Sequence, residues 1–266
     1  MTPFVRGALP SSAVKAEYQK ALVSLVDEMR DSILRHLRAR YRAREVEIIG
    51  MDASPARELE ELLRRLFRGW DRKFEEFAAL RSLAFARRVK KSATSQLYNS
   101  LREAGLTVAF KNSRRVNNMI QAIVAENVGL IRSIPQRLKN DVREVVMRSV
   151  QSGRDMGFVM EEVEDRCKVS RNRAVTIARD QTNKATEAIS RARCEEIGIT
   201  EGIWMHRSGS KVPRSTHKAM NGKRFKLADG IYDSAVGFEV KPGELINCHC
   251  TFRPVLPDLA APGEKA

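Results

Sequence analysis

Apolar residues recur at three- and four-residue spacing over most of the chain before Gly198, the period of an amphipathic helix. A first series runs from Ala13 through Leu22, Met29 and Ile33 to Leu37, opened by Ser11-Ser12, and predicts a helix to about Arg44. Gly50-Met51-Asp52-Ala53-Ser54-Pro55 interrupts it. Ser54 suits a helix N-cap, and Pro55 suits the first turn, where a missing N–H costs nothing. Leu59, Leu63, Phe67, Trp70, Phe74, Phe77, Leu80 and Leu83 then make a long stripe. It predicts a helix to about Glu103 with Gly105 beyond its end, although Gly69 argues against one straight rod.

The next signals are more broken. A helix is predicted over 113–128, stopping before Gly129, and another from Pro135 to Gly153 with Leu138, Val142, Val145, Val146 and Val150 inward. A short helix over 157–167 follows. Ser170 is read as the cap of a last helix whose small face comprises Ala174, Ile177, Ala178, Thr182, Ala185, Ala188, Ile189 and Ala192, ending at Gly198. After Gly198 glycines cluster and the apolar runs shorten. Ile203-Trp204-Met205, Phe225-Lys226-Leu227, Phe238-Glu239-Val240 and Thr251-Phe252-Arg253 read as short strands between turns. The fold class expected is therefore mostly α. A long-helix N-terminal module (1–165) precedes a small α+β C-terminal domain (166–257) with short antiparallel strands, and 258–266 reads as a loose tail.

Composition narrows the classes. The 266 residues include 48 Lys+Arg against 33 Asp+Glu, a formal charge of +15. No run reaches the roughly 18 apolar residues of a membrane span. Met1-Thr2-Pro3-Phe4 does not resemble a signal peptide, so a soluble protein made in a cytosol is expected. Four cysteines in a chain of this length do not make a disulfide scaffold. The charge is uneven. Arg81, Arg87, Arg88, Lys90, Lys91, Arg102, Lys111, Arg114 and Arg115 are opposed within 81–118 only by Glu103. Such a patch suits a polyanion or an acidic protein face, while the alternative is a solvated helix surface. Aromatics do not interleave with it, so base stacking is not supported.

Chemistry concentrates at the other end, where His206, His217, Cys248, His249 and Cys250 fall within about fifty residues. In an extended chain Cys248 and Cys250 point to the same side. Two thiolates and an imidazole are suitable ligands for tetrahedral zinc. His217 is the natural third ligand and His206 a candidate fourth, with His249 directed away. Two other readings stand beside this one. The cysteines could be buried packing thiols with His217 in a core hydrogen bond, or Cys248 and His217 could form a nucleophile–base pair. No phosphate loop, dinucleotide fingerprint or paired-carboxylate motif is present.

Several of these residues belong to an ordered set. Ala178-Arg179-Asp180-Gln181-Thr182-Asn183-Lys184-Ala185 is followed by Gly198-Ile199, Trp204, Arg214-Ser215-Thr216-His217, Asn221-Gly222 and Pro242-Gly243-Glu244-Leu245-Ile246-Asn247-Cys248-His249-Cys250. In this order they resemble the Mu F-like minor head proteins of tailed phages, over about residues 165–257. The family's usual Asp before the Arg-x-x-His step is missing from Ser208-Gly209-Ser210-Lys211-Val212-Pro213, which weakens a carboxylate role near His217. Its Cys-Arg-Cys is Cys248-His249-Cys250 here.

The resemblance implies a minor capsid protein of head morphogenesis without enzymatic turnover. It would be assembled in the bacterial host cytoplasm and carried in the virion head near the portal. Portal, major capsid and scaffold proteins are the implied partners, with DNA contact open and no membrane. The competing expectations are a nucleic-acid-binding protein acting through the basic helices, and a Cys/His hydrolase or toxin-like enzyme.

Overall fold

The computed structural model describes residues 5–46, 55–152, 156–207 and 213–257. The expected caps at Ser54 and Gly153, the step at 208–212 and the tail at 258–266 lie outside them. The chain is mostly helical: α1 (Ser12–Val46), α2 (Pro55–Glu103), α3 (Arg114–Gln151) and α4 (Met156–Glu196) precede a small region of short elements. These are β1 (Glu201–Met205), α5 (Ser215–Ala219), β2 (Arg224–Lys226), β3 (Ile231–Asp233), β4 (Phe238–Val240) and β5 (Thr251–Val255).

The ends of α1 and α2 follow the local signals. Ser11 Oγ accepts the Val14 amide at 3.3 Å, capping α1. Pro55 opens α2, and α2 closes with Gly105 at φ 83°, where the Leu106 amide returns to the Leu101 carbonyl at 2.9 Å. The same left-handed closure ends α4 at Gly198, φ 79°.

Two breaks expected from the sequence do not occur. Residues 114–151 form one helix through Gly129 and Pro135, not two. Likewise 156–196 is one helix, and Ser170 is a buried interior residue, not a cap. The apolar stripe explains both. Val116, Ile123, Ile131, Ile134, Leu138, Val142 and Val145 stay in phase across the Gly and the Pro and are all buried. The burial they provide outweighs about 1 kcal/mol for Gly and about 3 kcal/mol for Pro. Val159, Val163, Cys167, Ala174 and Ile177 carry α4 past Ser170 in the same way. Gly69 does not interrupt α2 either.

The chain divides into two compact units, each assembled from separated stretches. One comprises 16–82 and 125–178, and its described elements are all helices. Its core contains Leu22, Met29, Ile33, Phe67, Phe74 and Ile131, and Tyr18 donates a buried hydrogen bond to Asn127 at 2.8 Å.

The other unit comprises 1–15, 83–124 and 179–266 and holds all the strands among the described residues. A three-stranded sheet in the order β2-β1-β5 is antiparallel throughout, and β3 and β4 form a separate hairpin. Leu97, Leu101, Cys194, Trp204, Phe225 and Phe252 centre its core. The N-terminal segment is tied into the same unit. Arg6 N–H donates to Ser100 Oγ at 2.6 Å, and the Gln96 side-chain amide bonds both the N–H and the carbonyl of Leu9.

Candidate metal centre

Strand register assembles the site. In the β1–β5 ladder Met205 faces Thr251. One step further on, the same register sets His206 opposite Cys250, and His206 Nδ1 lies 3.5 Å from Cys250 Sγ. The His206 amide donates to Asn221 Oδ1 at 2.8 Å, and the Gly222 amide to the Trp204 carbonyl at 2.8 Å. The Asn221-Gly222 pair therefore holds the end of β1 in place.

His217 comes from α5 and is buried. Its Nδ1 stands 3.4 Å from Cys248 Sγ and 3.7 Å from Cys250 Sγ. Among the described residues, His217, Cys248 and Cys250 form one cluster able to hold a metal ion, with their donor atoms all within 4.8 Å of one another. Donors bound tetrahedrally to zinc at 2.0–2.3 Å stand roughly 3.3–3.8 Å apart. The three N···S distances above fall in that range. A cavity of about 10 Å³ lies among His206, His217, Cys248 and Cys250. That is about the volume of one ion or one water.

The electrostatics suit a cation. A hydrogen bond from Cys250, reinforced by His217, lowers the Cys248 thiol below its ordinary value despite burial. The same hydrogen bond, together with burial and the neighbouring Cys248 charge, raises Cys250. Metal binding to such a pair would release thiol protons.

A carboxylate absent from the sequence reading completes the surroundings. His217 Nε2 lies 3.1 Å from Asp233 Oδ2, and Asp233 is fully buried at the end of β3. Burial alone would raise this carboxyl. The Ala235 amide (3.0 Å to Oδ1), then the Thr216 side chain and His217, hold it below the usual carboxylate range. The missing Asp before Arg214 is therefore not the only route to an acid near His217. No local signal marked Asp233, which follows His217 by 16 residues in a separate hairpin. Trp204 packs edge-on against the His217 ring, centroids 5.2 Å apart.

His249 also lines that cavity, in a stretch before β5 begins, and is not one of the three clustered donors. The Asn183 amide contacts its Nδ1 at 3.1 Å, and burial with the nearby Arg179 charge lowers its affinity for a proton. Arg214, at the Arg-x-x-His step, donates to the Ile246 carbonyl at 3.1 Å and clamps the loop before the cysteines.

The frame for that loop is α4. Arg179 donates to Asn247 Oδ1 at 2.7 Å, and Asp180 accepts the Asn247 amide at 2.7 Å. Arg191 donates to the Pro242 carbonyl at 3.1 Å. Gly243 sits at φ 76°, and a Cβ there would come within 2.8 Å of Glu187 Cγ. Positions 179/180, 183, 187 and 191 follow one helix face at four-residue spacing. The Ala-Arg-Asp-Gln-Thr-Asn run thus supports the cysteine loop. Asn247 itself has φ 59°, a conformation that Asn tolerates better than most residues.

Of the basic residues, all but the half-buried Lys90 are exposed. Arg87, Arg88, Lys91 and Arg102 share one side of α2. Arg115 is engaged in an ion pair with Glu195, and Lys90 donates to Asn112 at 2.7 Å. Lys111 and Arg114 lie at the entry to α3, while Arg81 belongs to the helical unit and packs over Phe77. No helix among the described residues is long and apolar enough to cross a membrane.

Comparison with known proteins agrees with the motif order. Residues 140–253 match the family model described as Phage Mu protein F like protein, which supports a Mu F-like phage head protein. An uncharacterized protein of Haemophilus influenzae (strain ATCC 51907 / DSM 11121 / KW20 / Rd) is 31% identical over 151 residues, which is 57% of this chain and 32% of the relative. The match thus spans about a third of that relative's length. No solved structure matches the chain.

Proposed function

We propose that this chain is a minor capsid protein of phage head morphogenesis, acting in procapsid assembly near the portal and retained in the virion head. Assembly in the bacterial host cytoplasm follows from that role. Portal, major capsid and scaffold proteins are its partners in this reading. Residues 1–165 serve as the assembly-binding region and 166–257 as the Mu F-like domain. The basic residues of 81–118 contact packaged DNA. No turnover is assigned.

Within the Mu F-like domain, His217, Cys248, Cys250 and His206 hold one zinc ion that staples the loop to β1 and α5. The observation that carries this is the buried cluster of His217, Cys248 and Cys250, whose donor atoms lie within 4.8 Å of one another; His206 stands outside that cluster and meets Cys250 at 3.5 Å. Cys248, His217 and Asp233 do line up as nucleophile, base and orienter. Yet the cavity beside the thiol measures about 10 Å³, which favours an ion over a substrate as its occupant.

Two measurements test the reading. Elemental analysis of the purified chain should find about one zinc per chain, with Cys248 and Cys250 unreactive to thiol reagent until chelator is added. No metal and freely titrating thiols would remove the zinc site. Affinity capture from phage-producing cells should bring down portal or capsid protein and survive Arg87→Gln, Arg88→Gln, Lys90→Gln and Lys91→Gln combined. Capture of nucleic acid alone, lost with that neutralisation, would favour a nucleic-acid-binding protein instead.

A further inference from the structure

We infer that Asp233 is the positioning residue of the metal centre, fixing the His217 ring so that Nδ1 and not Nε2 is the ligand atom. The inference rests on the zinc reading and deepens it. A neutral imidazole has one N–H and one lone pair, on opposite edges of the ring. The tautomer is set by whichever edge meets the stronger acceptor. Nε2 meets a buried carboxylate oxygen at 3.1 Å. Nε2 therefore carries the proton, and the Nδ1 lone pair is directed at the two thiols, 3.4 and 3.7 Å away.

Asp233 is itself held with unusual completeness. Its Oδ2 meets His217, and its Oδ1 accepts the Ala235 amide at 3.0 Å. Its backbone carbonyl accepts the amides of Val236 (3.1 Å) and Gly237 (2.8 Å). One side-chain oxygen thus closes the β3–β4 turn while the other grips the ring. Trp204, edge-on at 5.2 Å, limits the rotation of His217 about its own axis. A hairpin of two three-residue strands has little stability alone. Its tie to His217 makes hairpin and ligand one unit.

The competing arrangement is a doubly protonated His217 donating to a thiolate on one side and to Asp233 on the other. That ring has no lone pair for a metal. Long-range ¹H–¹⁵N correlation spectra of the zinc-loaded chain separate the two. Coordination through Nδ1 with a protonated Nε2 is the expected result. Coordination through Nε2, or a His217 ring protonated at both nitrogens with zinc bound elsewhere, overturns the inference.

Substitution gives a second readout by competition with a chromophoric chelator. Asp233→Ala should weaken zinc binding about 10- to 100-fold. Asp233→Asn, whose amide oxygen still accepts the Nε2 proton, should lose less and keep the Nδ1-bound spectrum. Equal zinc affinity in wild type and Asp233→Ala overturns the role of Asp233. Failure of the wild-type chain to bind zinc at all overturns the zinc reading instead. Should Asp233→Ala not fold, the wild-type spectrum and Asp233→Asn still decide the question.

Discussion

The carboxylate of Asp180 accepts the backbone N–H of Asn247 at 2.7 Å, joining α4 to a loop 67 residues further along the chain. The residue after Asn247 is the first cluster thiol. This hydrogen bond therefore sets where Cys248 stands relative to β1 and α5. Bonds to a charged group contribute about 1.5–3 kcal/mol. Asp180→Ala is expected to destabilise the chain by that order in urea unfolding and to weaken zinc retention. Asp180→Asn, which can still accept the amide, should recover part of both. If Asp180→Ala unfolds less easily than wild type, the bond has no role in holding the loop.

Glycine positions give a contrast. Gly243 combines φ 76° with a site 2.8 Å from Glu187 Cγ, so Gly243→Ala meets both strain and a clash. A loss of about 2 kcal/mol or more is expected, with loosened thiols. Gly129 lies mid-helix in α3 with nothing within 4 Å of an added Cβ. Gly129→Ala should stabilise by about 0.5–1 kcal/mol. Thermal unfolding of the two variants, side by side, checks the pair of signs.

Glu187 is a buried carboxyl with Arg191 and the Phe252 backbone beside it. Burial raises its proton affinity well above that of an ordinary glutamate, with Arg191 only partly opposing. The folded state therefore holds the proton more tightly than the unfolded chain. The stability this supplies is complete below the ordinary value of 4.5 and is lost as pH rises toward the raised folded value. Glu187→Gln keeps the neutral shape and removes that loss. Its melting temperature should gain on wild type as pH rises above 4.5 at fixed zinc. A variant that falls behind wild type at high pH would mean that Glu187 is charged and stabilised by Arg191.

The basic side of α2 makes a prediction about salt. If Arg87, Arg88, Lys91 and Arg102 neutralise DNA phosphates, their combined change to Gln should flatten the log–log salt dependence of binding by about 0.9 per lost contact. Zinc content should not change, because none of the four touches the cluster. A salt slope equal to that of wild type would move DNA contact away from this face.

Much of this architecture is visible in the chain. Ser11, Pro55, Gly105 and Gly198 mark helix ends because capping, a fixed φ and a left-handed residue act within a single turn. The Cys-x-Cys spacing shows two thiols on one side because strand alternation is also local. Local signals misled where a longer pattern outweighed them. Gly129, Pro135 and Ser170 each carry a modest cost, which the continuous buried stripes of α3 and α4 exceed. Other features have no local signature at all. Asp233 reaches His217, and Asp180 reaches Asn247, only after hairpin, helix and loop have packed. The sequence alone therefore determined the helices, the short strands and which residues could bind a metal. Tertiary structure decided which carboxylate faces His217, and that α4 supports the thiols, because hydrogen bonds between distant segments depend on packing that no local spacing encodes.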